Sequence, residues 1–321
     1  MTVRRLVVAR GVLTDVQFER DHLAGRHVEV RLADLAAPET VERETADADG
    51  VIVTVEPLPR SLIERLGPDV RIIARAGIGL DAIDLEAARE RRIAVFHTPD
   101  YATEEVATHA VAMILALNRK LLPGDSLARR DWGGWSTLIP VRPLSELTVG
   151  VVGLGRIGHA VIERLAPFRC TIVGFDPFVS DAPPGVALAS SLEELLARSD
   201  VLTLHTPLTE QTRGMIGASE LELLGPGAVV VNVSRGPLIH EPALVQALEQ
   251  GLIAGAALDV LATEPPPPGA PILSAPNVLL SPHFAWYSAV SERRMRIQTL
   301  EGALDYLEGR PPRAGRLVSV P

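Results

Sequence analysis

The sequence predicts an α/β protein with two parallel sheets in series, the second inserted into the chain that builds the first. Three observations carry this expectation. Short apolar strands alternate with helical stretches through the first hundred residues, a second alternating series begins at Leu147, and a final helical stretch falls outside that second series.

In the first series Leu6–Ala9, Val28–Leu32, Val51–Val55, Ile72–Ala76 and Ile93–His97 read as strands, with helical segments such as Ser61–Leu66 and Leu85–Arg91 between them. Thr103 is placed to cap the next helix, whose first turn carries Glu104 and Glu105 and whose end carries Arg119 and Lys120. From Val106 to Leu117 this helix is apolar nearly all round, which predicts burial between domains or between subunits. Pro123 to Pro143, punctuated by glycine and proline, reads as a connection. The second series contributes Val149–Gly153, Thr171–Asp176, Val201–His205, Ala228–Val233, Ala256–Val260 and Val278–Leu280. The stretch Ser291–Leu307 is expected to return to the first domain. The expected domains are therefore residues 1–100 with 289–321, and 101–288, with the active site in the cleft between them.

Composition narrows the function classes. With 321 residues, 47% of them hydrophobic, the chain can build two cores. A net charge of −9 gives no basic field for nucleic acid or an anionic membrane. No apolar run approaches the roughly 20 residues that span a bilayer, and the start of the chain lacks the pattern of a secretion signal, so a cytoplasmic location is expected. Cys170 is the only cysteine, which excludes an intramolecular disulfide and a cysteine metal cluster; no metal site is expected. Lys120, the only lysine, sits at a helix end, where its charge complements the dipole.

Val149–Gly158 fits a buried strand running into a glycine turn that opens a helix. Gly153 suits the tight turn, Gly155 the close approach of backbone to phosphate, and Gly158 the packing of helix on sheet. Arg156 and Ile157 open the helix, whose free N–H groups would face a pyrophosphate. Asp176, 18 residues beyond Gly158 at the end of the next strand, is placed to accept from the adenosine ribose. Its charge opposes a 2′-phosphate, and Pro177 and Phe178 follow with no nearby arginine, so NAD is expected rather than NADP.

A nucleotide fold alone names no reaction. Three later strand ends carry polar residues: Asn232 to Gly236, Asp259 to Pro265, and Ser281 to Tyr287. Arg235 can hold a carboxylate bidentately, His283 can exchange a proton near neutrality, and Glu264 beside it would favour imidazolium. Singly, each also reads as a surface ion pair or a solvated charge.

Together these residues resemble the D-isomer-specific 2-hydroxyacid dehydrogenases, from Arg75–Asp84 through Pro282-His283. The motifs Val231–Gly236, Asp259–Pro265 and the proline-histidine pair are similar to the family's, with 29 residues from Arg235 to Glu264 and 19 from Glu264 to His283. The resemblance implies two Rossmann-like or flavodoxin-like domains and a catalytic set of Arg235, Glu264 and His283. It further implies that Gly77, Ile78 and Gly79 offer N–H groups to the substrate with Arg75 close by. Ile78, Thr206, Pro207, Thr212, Val233, Ser234, Arg235, His283 and Ala285 would line the cofactor, with Asp259 against the nicotinamide. Within the family, Pro99–Ala110 and Pro282–Ser288 are most similar to the branch of the C-terminal-binding-protein corepressors. That likeness implies that Trp286 reads the substrate side chain and favours an apolar or thioether group; packing at a domain interface is its other reading, and packing is also the reading for His109. Thr108, His240, Phe284 and Pro237 depart from common family choices without removing a catalytic group.

The expected function is an NAD-dependent oxidoreductase interconverting a 2-oxo acid and its D-2-hydroxy acid. The alternative is an NADH-sensing module that works through protein partners. A homodimer is expected, because the Val106–Leu117 helix needs more cover than one small domain gives.

Overall fold

A computed structural model of the protein describes residues 3–319, and it divides the chain into two compact units. The first comprises the chain up to Ala102 together with Ser288 onward; the second is Thr103–Tyr287.

The first unit opens with β1 (Arg4–Ala9), α1 (Gln17–His22), β2 (Val28–Ala33), α2 (Pro38–Thr45), β3 (Gly50–Val53), α3 (Arg60–Ile63), β4 (Ile72–Arg75), α4 (Leu85–Glu90) and β5 (Ala94–His97). Every residue of β3 is buried, as a parallel strand covered on both faces requires. The strands pair in parallel in the order β5-β4-β3-β1-β2, so the order reverses beside β1.

The second unit runs α5 (Thr103–Asn118), α6 (Leu121–Asp131), β6 (Thr148–Val152), α7 (Arg156–Leu165), β7 (Thr171–Phe175), β8 (Val186–Leu188), α8 (Leu192–Ala197), β9 (Val201–Leu204), α9 (Ala218–Leu224), β10 (Val229–Asn232), α10 (Glu241–Glu249), β11 (Gly255–Leu258) and β12 (Val278–Leu280). All seven strands are parallel in the order β12-β11-β10-β9-β6-β7-β8, which is the doubly wound order of dinucleotide-binding sheets. The order reverses between β6 and β9, where such sheets bind ligands at their carboxyl ends. Leu195, Leu202, Leu221, Val230 and Leu244 anchor the core on one face. On the other, α5 packs against α7, β10 and β11 and buries Val106, Ala107, Ala110, Val111, Met113 and Ile114.

After the second unit, α11 (Ala289–Leu307) packs over β4 and β5 and against α1, and β13 (Arg316–Ser319) adds an antiparallel edge to β5. Ser288 caps α11 by accepting from the Ser291 N–H at 2.9 Å, and Arg296 clamps the buried Glu19 of α1 through two bonds of 2.6 and 2.7 Å.

Three local expectations need correction, and two strands add to those expected. Residues 121–131 are helical, not irregular, because Pro123 falls in the first turn of α6, where its missing N–H costs nothing. Thr103 is itself helical and its buried hydroxyl makes no cap. The Val106–Leu117 helix finds most of its cover inside its own unit, on α7 and the sheet. Finally, β8 and β13 had no visible apolar alternation: each is a short edge strand with one paired neighbour, so half of its surroundings places no demand on sequence.

Among the described residues no helix is long and apolar enough to cross a membrane, and no group of three or more metal-ligating side chains forms.

Candidate active site

The glycine turn follows β6 directly. Gly153 has φ +90, and a Cβ on it would lie 2.7 Å from the His205 carbonyl at the end of β9. A Cβ on Gly158 would come within 2.1 Å of the Gly153 oxygen, so α7 seats against the turn only with glycine there. Gly155 has open space on its Cβ side, leaving the backbone ahead of α7 accessible. These are the features that a pyrophosphate cradle needs, and the turn fits a dinucleotide. Arg156 and Ile157 form the first turn of α7. At the end of β7, Asp176 accepts from the Leu154 N–H of the turn at 2.9 Å and from the Phe178 N–H at 3.0 Å, which fixes its carboxylate beside the cradle.

The loop after β9 carries Thr206, Pro207 and Thr212. The Thr212 hydroxyl donates to the Pro207 carbonyl at 2.7 Å and accepts from the Thr209 N–H at 2.8 Å, tying the loop to itself. His205 contributes no charge: burial pushes its ring down to about 3.

Beyond β10, Val233 is buried and Ser234 donates to the Leu204 carbonyl at 2.8 Å. The Asn232 side chain spans the turn, donating to the Arg235 carbonyl at 2.8 Å and accepting from the Ser234 N–H at 3.0 Å. A Cβ on Gly236 would lie 1.9 Å from the Leu261 carbonyl carbon, so this turn presses against the one that carries Glu264. Glu264 accepts from the Leu261 N–H at 2.8 Å through one oxygen and from His283 Nδ1–H at 2.6 Å through the other. Burial raises the Glu264 carboxyl, yet the bond from His283, their charge attraction, the Leu261 N–H and the charge of Arg235 outweigh it and hold the group below the usual carboxylate range. Glu264 is thus ionised at neutral pH, and with Nδ1 engaged, Nε2 is the ring nitrogen left to meet a ligand. Arg235, Glu264 and His283, from the ends of three adjacent strands, are brought together.

Asp259 behaves differently from a residue lying open to a ligand. Its side chain is 1% exposed, and its oxygens accept from the Phe284 N–H at 2.8 Å, the Ala285 N–H at 3.0 Å and the Ser281 hydroxyl. Ala285 is buried, while Trp286 is half-buried with its ring edge-on to Tyr287, which stacks on Phe284.

In the first unit, Arg75 at the end of β4 donates to the carbonyls of Ala76 and Gly79 and shapes the loop around itself. The Gly77 N–H is not on offer to a substrate: it is spent on the Thr98 hydroxyl and the Arg75 carbonyl, both at 3.0 Å. Ile78 and Gly79 have no such partner for their N–H groups among the described residues, so the expected trio of donors reduces to a pair.

Fold and strand-end chemistry together define a dinucleotide-binding α/β oxidoreductase. The family model for the NAD binding domain of D-isomer specific 2-hydroxyacid dehydrogenases matches residues 111–285, and the chain belongs to that family. It is 33% identical over 281 residues to a glycerate dehydrogenase of Methylorubrum extorquens, covering 85% of this chain and 87% of that one. A D-3-phosphoglycerate dehydrogenase of Archaeoglobus fulgidus is 34% identical over 91% of this chain, which spans only 56% of that relative's length. Among solved structures, an NADPH-dependent glyoxylate/hydroxypyruvate reductase of Sinorhizobium meliloti, in complex with NADP and malonate, superposes with a TM-score of 0.85 at 31% identity, covering 98% of this chain and 97% of that one.

Proposed function

We propose that the protein is an NAD-dependent 2-oxo acid reductase, interconverting a 2-oxo acid and its D-2-hydroxy acid. The observation that carries this reading is the 2.6 Å contact between His283 and Glu264, with Arg235 close enough to bias the same carboxylate.

The cofactor is held in this reading by Gly153, Gly155, Arg156, Ile157 and Gly158 at its pyrophosphate, by Asp176 at its ribose, and by the Thr206–Thr212 loop, Val233, Ser234 and Ala285 along its length. When bound, it supplies the hydride that passes to or from C2. Arg235 pairs with the substrate carboxylate and lies beside the 2-oxo oxygen. His283 gives its Nε2 proton to that oxygen in reduction and takes it back in oxidation, while Glu264 holds the ring's orientation and stabilises its cationic form. Preference for NAD over NADP rests on the Asp176 carboxylate, which would meet a 2′-phosphate with like charge. The backbone N–H groups of Ile78 and Gly79 serve as further donors to the substrate, with Arg75 shaping their loop. Trp286, flanked by Tyr287 and Phe284, offers an apolar surface suited to an aliphatic or thioether side chain.

In this reading the protein is a homodimer, and an exposed apolar surface supports it. Five exposed large apolar residues, Leu121, Leu122, Trp132, Trp135 and Ile139, fall within the single segment 121–139, with the two tryptophans 87% and 71% exposed. Beside them a cavity of about 470 Å³, lined by Leu117, Leu122, Leu138, Val229 and Val278, opens at the amino-terminal edge of the strands. A second copy of this chain would bury that surface, and a monomer in light scattering at micromolar concentration would remove the claim.

The activity is tested by NADH oxidation over a panel of 2-oxo acids with aliphatic, thioether, hydroxyl and anionic side chains. Turnover with NADH exceeding that with NADPH is expected for at least one aliphatic or thioether acid; no turnover across the panel overturns the reading.

A further inference from the structure

His283 occupies a backbone conformation that a side chain ordinarily avoids. Its φ is +51, in the left-handed region, where a Cβ crowds the backbone. Such a conformation persists only where its surroundings over-determine it. The surroundings here are specific. The His283 N–H donates to the carbonyls of Asp259 at 2.8 Å and Ser281 at 3.0 Å, and the two following N–H groups, of Phe284 and Ala285, are both held by the Asp259 carboxylate. Asp259 is in turn bound by the Ser281 hydroxyl, and Ser281 Oγ lies 3.0 Å from Nε2 of His109 on α5.

The protons in this chain have one consistent arrangement. A serine has a single hydroxyl proton, and the Ser281 one goes to Asp259; His109 therefore carries its proton on Nε2 and donates to Ser281. Its Nε2 is also 3.7 Å from Asp259 Oδ1, so the ring bears on the carboxylate directly as well as through the serine. Three elements converge: α5 through His109, the end of β11 through Asp259, and the end of β12 through Ser281. The residue on which they converge is His283, and none of their side chains is its hydrogen-bond partner.

We propose that His109 is a positioning residue for His283, acting through Ser281 and Asp259 to hold the 281–285 turn in the one conformation that keeps the His283 ring against Glu264. The inference rests on the reading of His283 as the proton-transfer group. His109→Leu should lower kcat by roughly 10–100-fold, the loss that a misplaced catalytic group brings, with KM and the NADH dissociation constant little changed. His109→Gln, which keeps an N–H donor, should restore most of it. Ser281→Ala should reproduce the loss without altering α5, and the double variant His109→Leu/Ser281→Ala should be no worse than either single one, because both break the same chain.

Full kcat in His109→Leu, additive losses in the double variant, or a Gln variant no better than Leu would each overturn the proposal. A readout independent of turnover keeps it distinct from the functional reading. In cofactor-free protein the Glu264 carboxyl, followed by carbon-13 NMR, should titrate higher in His109→Leu and in Ser281→Ala than in the parent, because the His283 contact loosens. If the parent reduces no 2-oxo acid but this shift occurs, the functional reading fails and the positioning role stands. If the parent is active and Glu264 does not shift in either variant, the positioning role fails alone.

Discussion

The two sheets of this protein are built by the same rules and carry different chemistry. Apart from the antiparallel edge β13, each is a parallel array of short strands whose order reverses beside its first member, β1 in one unit and β6 in the other. At the strand ends they diverge. The first unit presents a loop of backbone groups, Ala76 to Gly79, propped by Arg75. The second presents a glycine cradle, a fixed aspartate, and an arginine, glutamate and histidine on three neighbouring turns. Hydrophobic alternation specifies the sheet, and the few residues past each strand specify what the sheet does.

The largest expected effect separates the units most sharply. His283→Ala should lower kcat by roughly 10²–10⁴-fold, the contribution of a positioned acid, while Arg235→Ala should damage both kcat and KM; steady-state kinetics with a 2-oxo acid read both. Near-normal turnover by His283→Ala would remove the second unit's claim to the chemistry.

Gly158→Ala should come next. The added methyl would have to displace the Gly153 carbonyl that lies 2.1 Å away, and overpacking of this kind costs about 1–3 kcal/mol. NADH binding, followed by its fluorescence, should weaken more than the melting temperature falls. The reverse result would make the turn a packing device like any other in the molecule.

Glu264→Gln tests the electrostatics. In the parent the Glu264 carboxyl is depressed, so its anion is fully present above the ordinary carboxylate range and is lost as pH falls through the lowered value. Without the anion the cationic His283 ring loses its partner, and the alkaline limit of reductive activity should move down. An unchanged pH profile would detach Glu264 from the proton transfer. A smaller change is expected from Asp176→Ala, about tenfold weaker NADH binding for one lost charged acceptor, with the discrimination against NADPH relaxed.

The smallest effect lies in the first unit and sharpens the contrast. Asp305 has a fully buried side chain held by Arg310 and Arg313, and although burial raises its carboxyl, those bonds win and depress it. Its stabilising effect is present above the ordinary carboxylate range and fades as pH falls through the depressed value. Asp305→Asn should lower the thermal midpoint by roughly 2–8 °C at neutral pH, less in acid, and leave kcat unchanged.

By itself the sequence indicated the inner strands of both sheets and a late return of the chain to the first, and it singled out the glycine turn and the residues Arg235, Glu264 and His283. All of these follow from local patterns: apolar runs that must be buried, glycines at fixed offsets, and chemically versatile side chains just past strands. It did not reveal that residues 121–131 are helical, since a proline reads as a break until its place in the first turn is known. Nor did it reveal β8 and β13, whose pairing rests on one neighbour each. The least legible feature was the support of His283. His109 read as packing and Asp259 as a cofactor contact, because nothing along the chain relates positions 109, 259 and 281. Only the tertiary structure decided that a buried carboxylate, a serine and a helix histidine meet beneath the 281–285 turn. Burial makes their hydrogen bonds obligatory, and those bonds hold His283 in a conformation its own sequence would not choose.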